Sequence, residues 1–126
     1  MECKGRPIAV VDDDAGMRNA MEQLLRAAGF EVAAFTSAEE FLASAMSQPA
    51  ACLIFDVHLP GLSGFELCEK VHPSPGEPPV IFITGHDNPA TRARAERLGA
   101  AAYLPKPFAG RRLLEELSRV TTKEES

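Results

Sequence analysis

No stretch of this 126-residue chain approaches the roughly 20 consecutive apolar residues that a bilayer-spanning helix needs. Its first residues, Met1-Glu2-Cys3-Lys4-Gly5-Arg6, carry no apolar core of the kind a secretion signal requires. Cysteine is scarce. Cys3, Cys52 and Cys68 are odd in number and lack metal-site spacing, and Cys52 and Cys68 fall in apolar contexts, so they read as core thiols rather than a disulfide pair. A reducing, cytoplasmic setting is expected. A surplus of basic charge is missing too: 13 Lys and Arg against 18 Asp and Glu leave a net charge of −5, which argues against direct nucleic-acid binding by this domain. His58, His72 and His86 are not spaced as a zinc site, and the chain has no internal repeat. What remains is a composition that is 45% apolar and 25% charged, that of one ordinary globular domain with a real core.

Five short apolar runs punctuate the chain. Pro7 to Val11 is a compact, continuous run suited to a strand buried on both faces, and it ends on Asp12-Asp13-Asp14. A helix follows, with Met17, Met21, Leu24, Leu25 and Ala28 at helical spacing and Gly29 as its stop. Phe30 to Phe35 reads as a weaker strand. Ser37 and Glu40 form a capping-box pattern for a helix with Phe41, Leu42 and Ala45 inward, which Pro49 breaks. Cys52 to Phe55 is a strand that delivers Asp56, and Pro60-Gly61 turns the chain at once. The segment from Ser63 to about His72 reads as a helix burying Leu67, Cys68 and Val71.

The four prolines between His72 and Pro79 permit only a connector. Val80 to Ile83 is the most apolar strand and ends on Thr84-Gly85-His86-Asp87. Pro89 to Leu98 is helical but poor in large apolar residues, with Arg92, Arg94 and Arg97 on most faces; a movable face that carries a signal is expected there. Ala100 to Leu104 is a fifth strand ending on Pro105-Lys106-Pro107. Phe108 opens a helix with Leu113, Leu114, Leu117 and Val120 inward. Residues 1–120 are expected to form the domain, and residues 121–126 a frayed polar tail or the start of a linker.

Strict alternation of strands and helices with short loops implies right-handed crossovers and a parallel sheet covered on both faces. Five strands are too few for an eight-fold barrel. The expected architecture is α/β, a flavodoxin-like doubly wound (βα)5 fold with strand order 2-1-3-4-5. In such a sheet every strand's carboxyl end faces one edge, so Asp12, Asp13, Asp56, Thr84 and Lys106 converge. Crowded carboxylates repel one another, and a hard divalent cation relieves this: Mg²⁺, with Mn²⁺ as the alternative ion, suits a site that keeps positions for water and phosphate oxygens. An ammonium and a hydroxyl beside it equip the site to grip a phosphoryl group, which an Asp can accept as nucleophile. Asp56, mid-edge on its own strand end, is the best placed acceptor. Asp12 and Asp13 suit the metal, and Asp14 suits the first helix's N-terminus.

Four stretches then carry a resemblance: Val11 to Asp14, Asp56 to Glu66, Ile83 to His86, and Gly99 to Phe108. In this order, and over essentially the whole chain, they resemble the receiver domain of bacterial two-component response regulators. The resemblance implies that Asp56 accepts a phosphoryl group from a sensor histidine kinase. It implies that Asp13 ligates Mg²⁺ directly, Asp12 directly or through water, and that the backbone carbonyl of His58 completes the metal site. Lys106 pairs with the phosphoryl oxygens, Thr84 moves its hydroxyl onto them, and Tyr103, the single tyrosine, rotates inward behind it. The Lys106–Pro107 peptide is expected to be cis. His58, His86 and Asp87 are expected at the pocket mouth, where they tune the phosphate's lifetime.

The chain is then a switch, not an enzyme acting on external substrates. The face built from the fourth helix, fifth strand and fifth helix is expected to control homodimerisation or an output partner, with no membrane contact. The Ile83-Thr84-Gly85-His86 run and the Pro107-Phe108 ending look closest to the branch that carries a helix-turn-helix, DNA-binding output domain, which would lie outside this chain. Leu59 stands where the family usually has Met, a volume-conserving change. Two other readings stay open from the residues: a docking module that is never phosphorylated, and a phosphatase using the same carboxylates.

Overall fold

The computed structural model describes residues 6–44, 50–71 and 78–125. Strands β1 (Ile8–Val11), β2 (Val32–Phe35), β3 (Cys52–Asp56), β4 (Val80–Thr84) and β5 (Ala102–Pro105) form one parallel sheet in the order β2-β1-β3-β4-β5. Helices α1 (Ala15–Ala27), α2 (Ala38–Ser44), α3 (Gly64–Val71), α4 (Pro89–Arg97) and α5 (Gly110–Glu125) connect and follow them. The expected doubly wound architecture is what is observed.

Side chains alternate across each strand and so split the core in two. Ala9, Val11, Leu53, Phe55, Val80 and Phe82 face α2, α3 and α4, where they meet Phe41, Phe65, Leu67 and Ala95. Ile8, Val10, Cys52, Ile54, Ile81 and Ile83 face α1 and α5, where they meet Met21, Leu25, Leu113 and Leu117. Every residue of β1, β3 and β4 is buried, which is why those runs are continuous rather than alternating in hydropathy.

Local chemistry starts the helices where capping residues stand. Asp14 caps α1, its Oδ1 accepting from the N–H of Gly16 (3.0 Å) and Met17 (3.3 Å). Ser37 Oγ accepts from Glu40 N–H (3.0 Å), while the Glu40 carboxylate reaches one residue further back than a standard box, to Thr36 N–H (2.7 Å). Ser63 and Glu66 make a full reciprocal box at the start of α3, with bonds of 2.9 and 3.1 Å. Gly29 and Gly99 follow α1 and α4 at positive φ, 97° and 79°.

Several expectations are corrected. Leu42 is exposed rather than inward. β2 begins at Val32 rather than Phe30, and β5 at Ala102 rather than Ala100, since Ala100 N–H closes the end of α4 on Ala95 O (3.1 Å). The last helix begins at Gly110 and runs on through Glu125, and Thr121 is buried and donates its hydroxyl to Leu117 O (2.7 Å). Cys52 and Cys68 are buried in the core, as expected. Cys3, Ala45, Pro49, and His72 to Glu77 of the proline-rich connector lie outside the described residues. Among the described residues no helix is long and apolar enough to cross a membrane.

Candidate functional site

The site follows from strand register. Val11 pairs with Phe55, so the next residues along, Asp12 and Asp56, leave the sheet side by side. Thr84 pairs with Pro105, and Lys106 N–H donates to Thr84 O (2.7 Å), which brings the lysine round to the same edge. The Lys106–Pro107 peptide is cis. Carboxylate oxygens of Asp12, Asp13 and Asp56 all lie within 4.8 Å of one another. Asp12 and Asp56 are buried, at 0% and 4% exposure, and Asp13 is exposed.

Lys106 sits over the buried pair. Its Nζ is 3.2 Å from Asp56 Oδ2 and 3.5 Å from Asp12 Oδ2. The other Asp56 oxygen accepts from His58 N–H (3.0 Å), and Asp12 Oδ1 accepts from Asp14 N–H (2.9 Å). Among the described residues Asp12 Oδ2 is buried without a hydrogen bond, and the Lys106 charge stands 3.5 Å from it. Burial is the main reason the Asp12 carboxyl is pushed up to about 6, with the Asp56 charge adding to it and the Asp14 N–H and Lys106 opposing. For Lys106, burial works against the charge, but Asp56 and Asp12 outweigh it and hold the ammonium above its ordinary value.

A buried carboxylate oxygen with no donor, beside two more carboxylates within a few ångströms, is a donor set that a hard cation fits. The lysine supplies one positive charge to two buried acids, so the site holds more negative charge than its own cation can neutralise.

Thr84 is fully buried at the end of β4, and its Oγ1 accepts from His86 N–H (2.9 Å). The hydroxyl proton therefore stays available as a donor. His58 is exposed, and its ring meets the His86 ring edge-on at 4.6 Å, so the two histidines stand together. Tyr103 lies half-buried and does not touch Thr84 by any hydrogen bond described. Its hydroxyl donates to Asp87 Oδ1 (2.9 Å), Asp87 Oδ2 pairs with Arg92 (2.9 Å), and the Arg92 guanidinium lies 4.7 Å over the tyrosine ring. Burial, then the Asp87 contact, pushes the Tyr103 phenol up to about 12.

Three contacts were not read from the sequence. Arg18 donates to the Asp12 carbonyl (2.9 Å), Glu39 accepts from Leu62 N–H (3.1 Å), and Asp87 holds Tyr103. Arg18 stands four residues after Asp14 on the helix that Asp14 caps, a weak signal. Glu39 and Leu62 meet through the packing of separate elements, and spacing carries no signal for that.

A doubly wound sheet thus carries a buried acid pair, an exposed third acid, a hydroxyl and an ammonium together at its carboxyl edge. Residues 8–118 match the response regulator receiver domain. Nodulation protein W of Bradyrhizobium diazoefficiens is 40% identical over 117 residues, which are 93% of this chain and 52% of that protein. The transcriptional regulatory protein FixJ of the same organism is 39% identical over 113 residues, 90% of this chain and 55% of FixJ. A CheY-like response regulator receiver domain protein from Methanospirillum hungatei superposes with a TM-score of 0.87 at 33% identity, covering 95% of this chain and 96% of that one. The chain thus belongs to the receiver domain family of two-component response regulators, and it spans about half the length of Nodulation protein W and FixJ.

Proposed function

We propose that this domain is a phosphorylation-activated switch in which Asp56 takes a phosphoryl group from the phosphohistidine of a sensor kinase. The observation that carries the reading is Lys106 Nζ bridging the buried Asp56 and Asp12 carboxylates while Asp12 Oδ2 lacks a hydrogen bond. In the transfer, an Asp56 carboxylate oxygen forms the new O–P bond as the N–P bond to the kinase histidine breaks, and the released imidazole keeps the electron pair and takes up a proton. Asp12, Asp13, Asp56 and the backbone carbonyl of His58 hold Mg²⁺, which supplies charge neutralisation to the phosphoryl oxygens when bound.

Lys106 exchanges its carboxylate partners for the phosphoryl oxygens, adding charge-assisted bonds that develop only as the group arrives. Thr84 leaves His86 N–H and donates to the same oxygens. Space behind Thr84 then admits Tyr103, which must give up Asp87 to enter. Because Tyr103 is also engaged by Arg92 of α4, its rotation shifts α4, β5 and α5 together and changes what that face binds: a second receiver or an output partner. The setting is the cytoplasm. FixJ, a transcriptional regulatory protein of which this chain spans 55%, supports a DNA-binding output domain as the partner, with residues from 121 leading toward it.

The test is incubation with Mg²⁺ and acetyl phosphate, read by intact mass. The expected outcome is one phosphoryl group on the wild type and none on Asp56→Asn. Equal labelling of both, or none of either, overturns the proposal. Removal of Mg²⁺ with a chelator is expected to abolish labelling.

A further inference from the structure

We propose that Glu39, at the start of α2, is a positioning residue that sets the metal-binding loop between β3 and α3. The inference rests on the reading that Asp12, Asp13, Asp56 and the His58 carbonyl hold a divalent cation. Two adjacent acids open α2, and by default both would serve its N-terminal turn. They do different things. Glu40 turns back to Thr36, whereas Glu39 reaches across to another element and accepts from Leu62 N–H (3.1 Å).

The loop it reaches, residues 57–63, is pinned at its two ends. Asp56 Oδ1 holds His58 N–H at the start (3.0 Å). Val57 O holds Gly64 N–H at the end (3.0 Å), where Gly64 packs so closely that a Cβ there would collide with the Asp56 carbonyl. The middle of the loop, Pro60 and Gly61, is exposed, and there Glu39 supplies a tie from outside. A second observation agrees with the first. Gly61 has φ +75°, and a Cβ built on it would lie 2.7 Å from Glu39 Oε2, so the loop backbone lies directly against this carboxylate.

The tie matters because the loop is short and closed at both ends. Displacing Leu62 changes the path of the chain that carries the His58 peptide. Groups that orient a metal's ligands without touching it typically alter affinity by tenfold or more. Glu39 would act in this way, through the backbone.

The test compares wild type, Glu39→Ala, Glu39→Gln and Glu40→Ala by Mg²⁺ titration of backbone amide chemical shifts, with amide exchange of Leu62 measured before metal is added. Glu39→Ala is expected to weaken Mg²⁺ on the order of tenfold and to speed Leu62 exchange, with the phosphorylation rate at saturating Mg²⁺ held to within about twofold. Glu39→Gln keeps an acceptor for Leu62 N–H and is expected to retain most of the affinity. Glu40→Ala, which disturbs only the helix cap, is expected to leave Mg²⁺ binding unchanged. Unchanged affinity in Glu39→Ala overturns the proposal even if Leu62 exchange accelerates. Equal loss in Glu39→Gln also overturns it, since charge and not the bond would then be at work. A wild type that binds no Mg²⁺ overturns the metal reading itself and this inference with it, an outcome distinct from the other two.

Discussion

Helices α3 and α4 are close in length and pack on the same face of the sheet, yet they are held in opposite ways. α3 buries Gly64, Phe65, Leu67, Cys68 and Val71, and the Phe65 ring meets Phe82 of β4 edge-on at 4.9 Å. α4 buries Ala95 alone. Polar contacts at its rim hold the rest: an Asn88 cap, an Arg94–Glu69 pair at 3.2 Å, an Arg92–Asp87 pair at 2.9 Å, and the Arg94 guanidinium 5.0 Å over Phe65. A buried Leu or Phe contributes about 1.5–3 kcal/mol, while exposed ion pairs contribute about 0–1 kcal/mol each. Asp56 leaves a strand clamped between a well-anchored helix and a fully buried β1, so the acid edge is stiff. Tyr103 lies under Arg92 of the loosely held helix, so in the proposed switch a small change in its partners would move that helix.

That contrast can be broken or sharpened by substitution. The largest effect is expected from Leu67→Ala on α3, about 2–5 kcal/mol of stability lost in urea unfolding, because Leu67 is fully buried. A loss below about 1 kcal/mol would remove the contrast.

Asp12 comes next. Its carboxyl is at about 6 in the folded protein against an ordinary 3.8, so between those values the folded state binds the extra proton. Without divalent metal, stability is therefore expected to fall as pH rises from about 4 to about 6, and to stay low above that. Asp12→Asn should flatten this slope and stabilise the metal-free protein at neutral pH, since it removes the carboxylate that burial disfavours. Added Mg²⁺ should stabilise the wild type and not this variant. Thermal unfolding across pH, with and without Mg²⁺, decides it.

A smaller effect is expected from Asp87→Ala, which releases both the Tyr103 hydroxyl and Arg92. Stability should change by about 1 kcal/mol, while α4 amides exchange faster and α3 amides do not. Equal acceleration in both helices would contradict the contrast. Arg94→Ala should cost least, roughly 0.2–1 kcal/mol in urea unfolding.

The five strands and the acid edge were legible because buried parallel strands are continuous apolar runs and their last residues must share one edge. Asp12, Asp56, Thr84 and Lys106 needed no tertiary information beyond that. Boundaries were harder. Ala100 is apolar and adjoins a strand, but its N–H closes α4, and composition does not reveal where a backbone bond goes. Leu42 adjoins Phe41, but adjacent residues point ~100° apart around a helix, so burying Phe41 turns Leu42 outward. Thr121 is polar in sequence, but its hydroxyl is satisfied within its own helix by Leu117, so it can sit buried. The Glu39 tie to Leu62 and the Asp87 hold on Tyr103 depend on how separate elements meet, 23 and 16 residues apart in sequence. Spacing rules describe neighbours within an element and are silent on such pairs.

The most direct test of the division between a stiff acid edge and a movable reading face is amide hydrogen exchange before and after treatment with Mg²⁺ and acetyl phosphate, on wild type and on Asp56→Asn. Exchange in the wild type is expected to change across Thr84 to Val120, most strongly in α4, with α1 and α3 unaltered and no change in Asp56→Asn. Changes spread evenly over all five helices, or confined to α1 and α3, would contradict it.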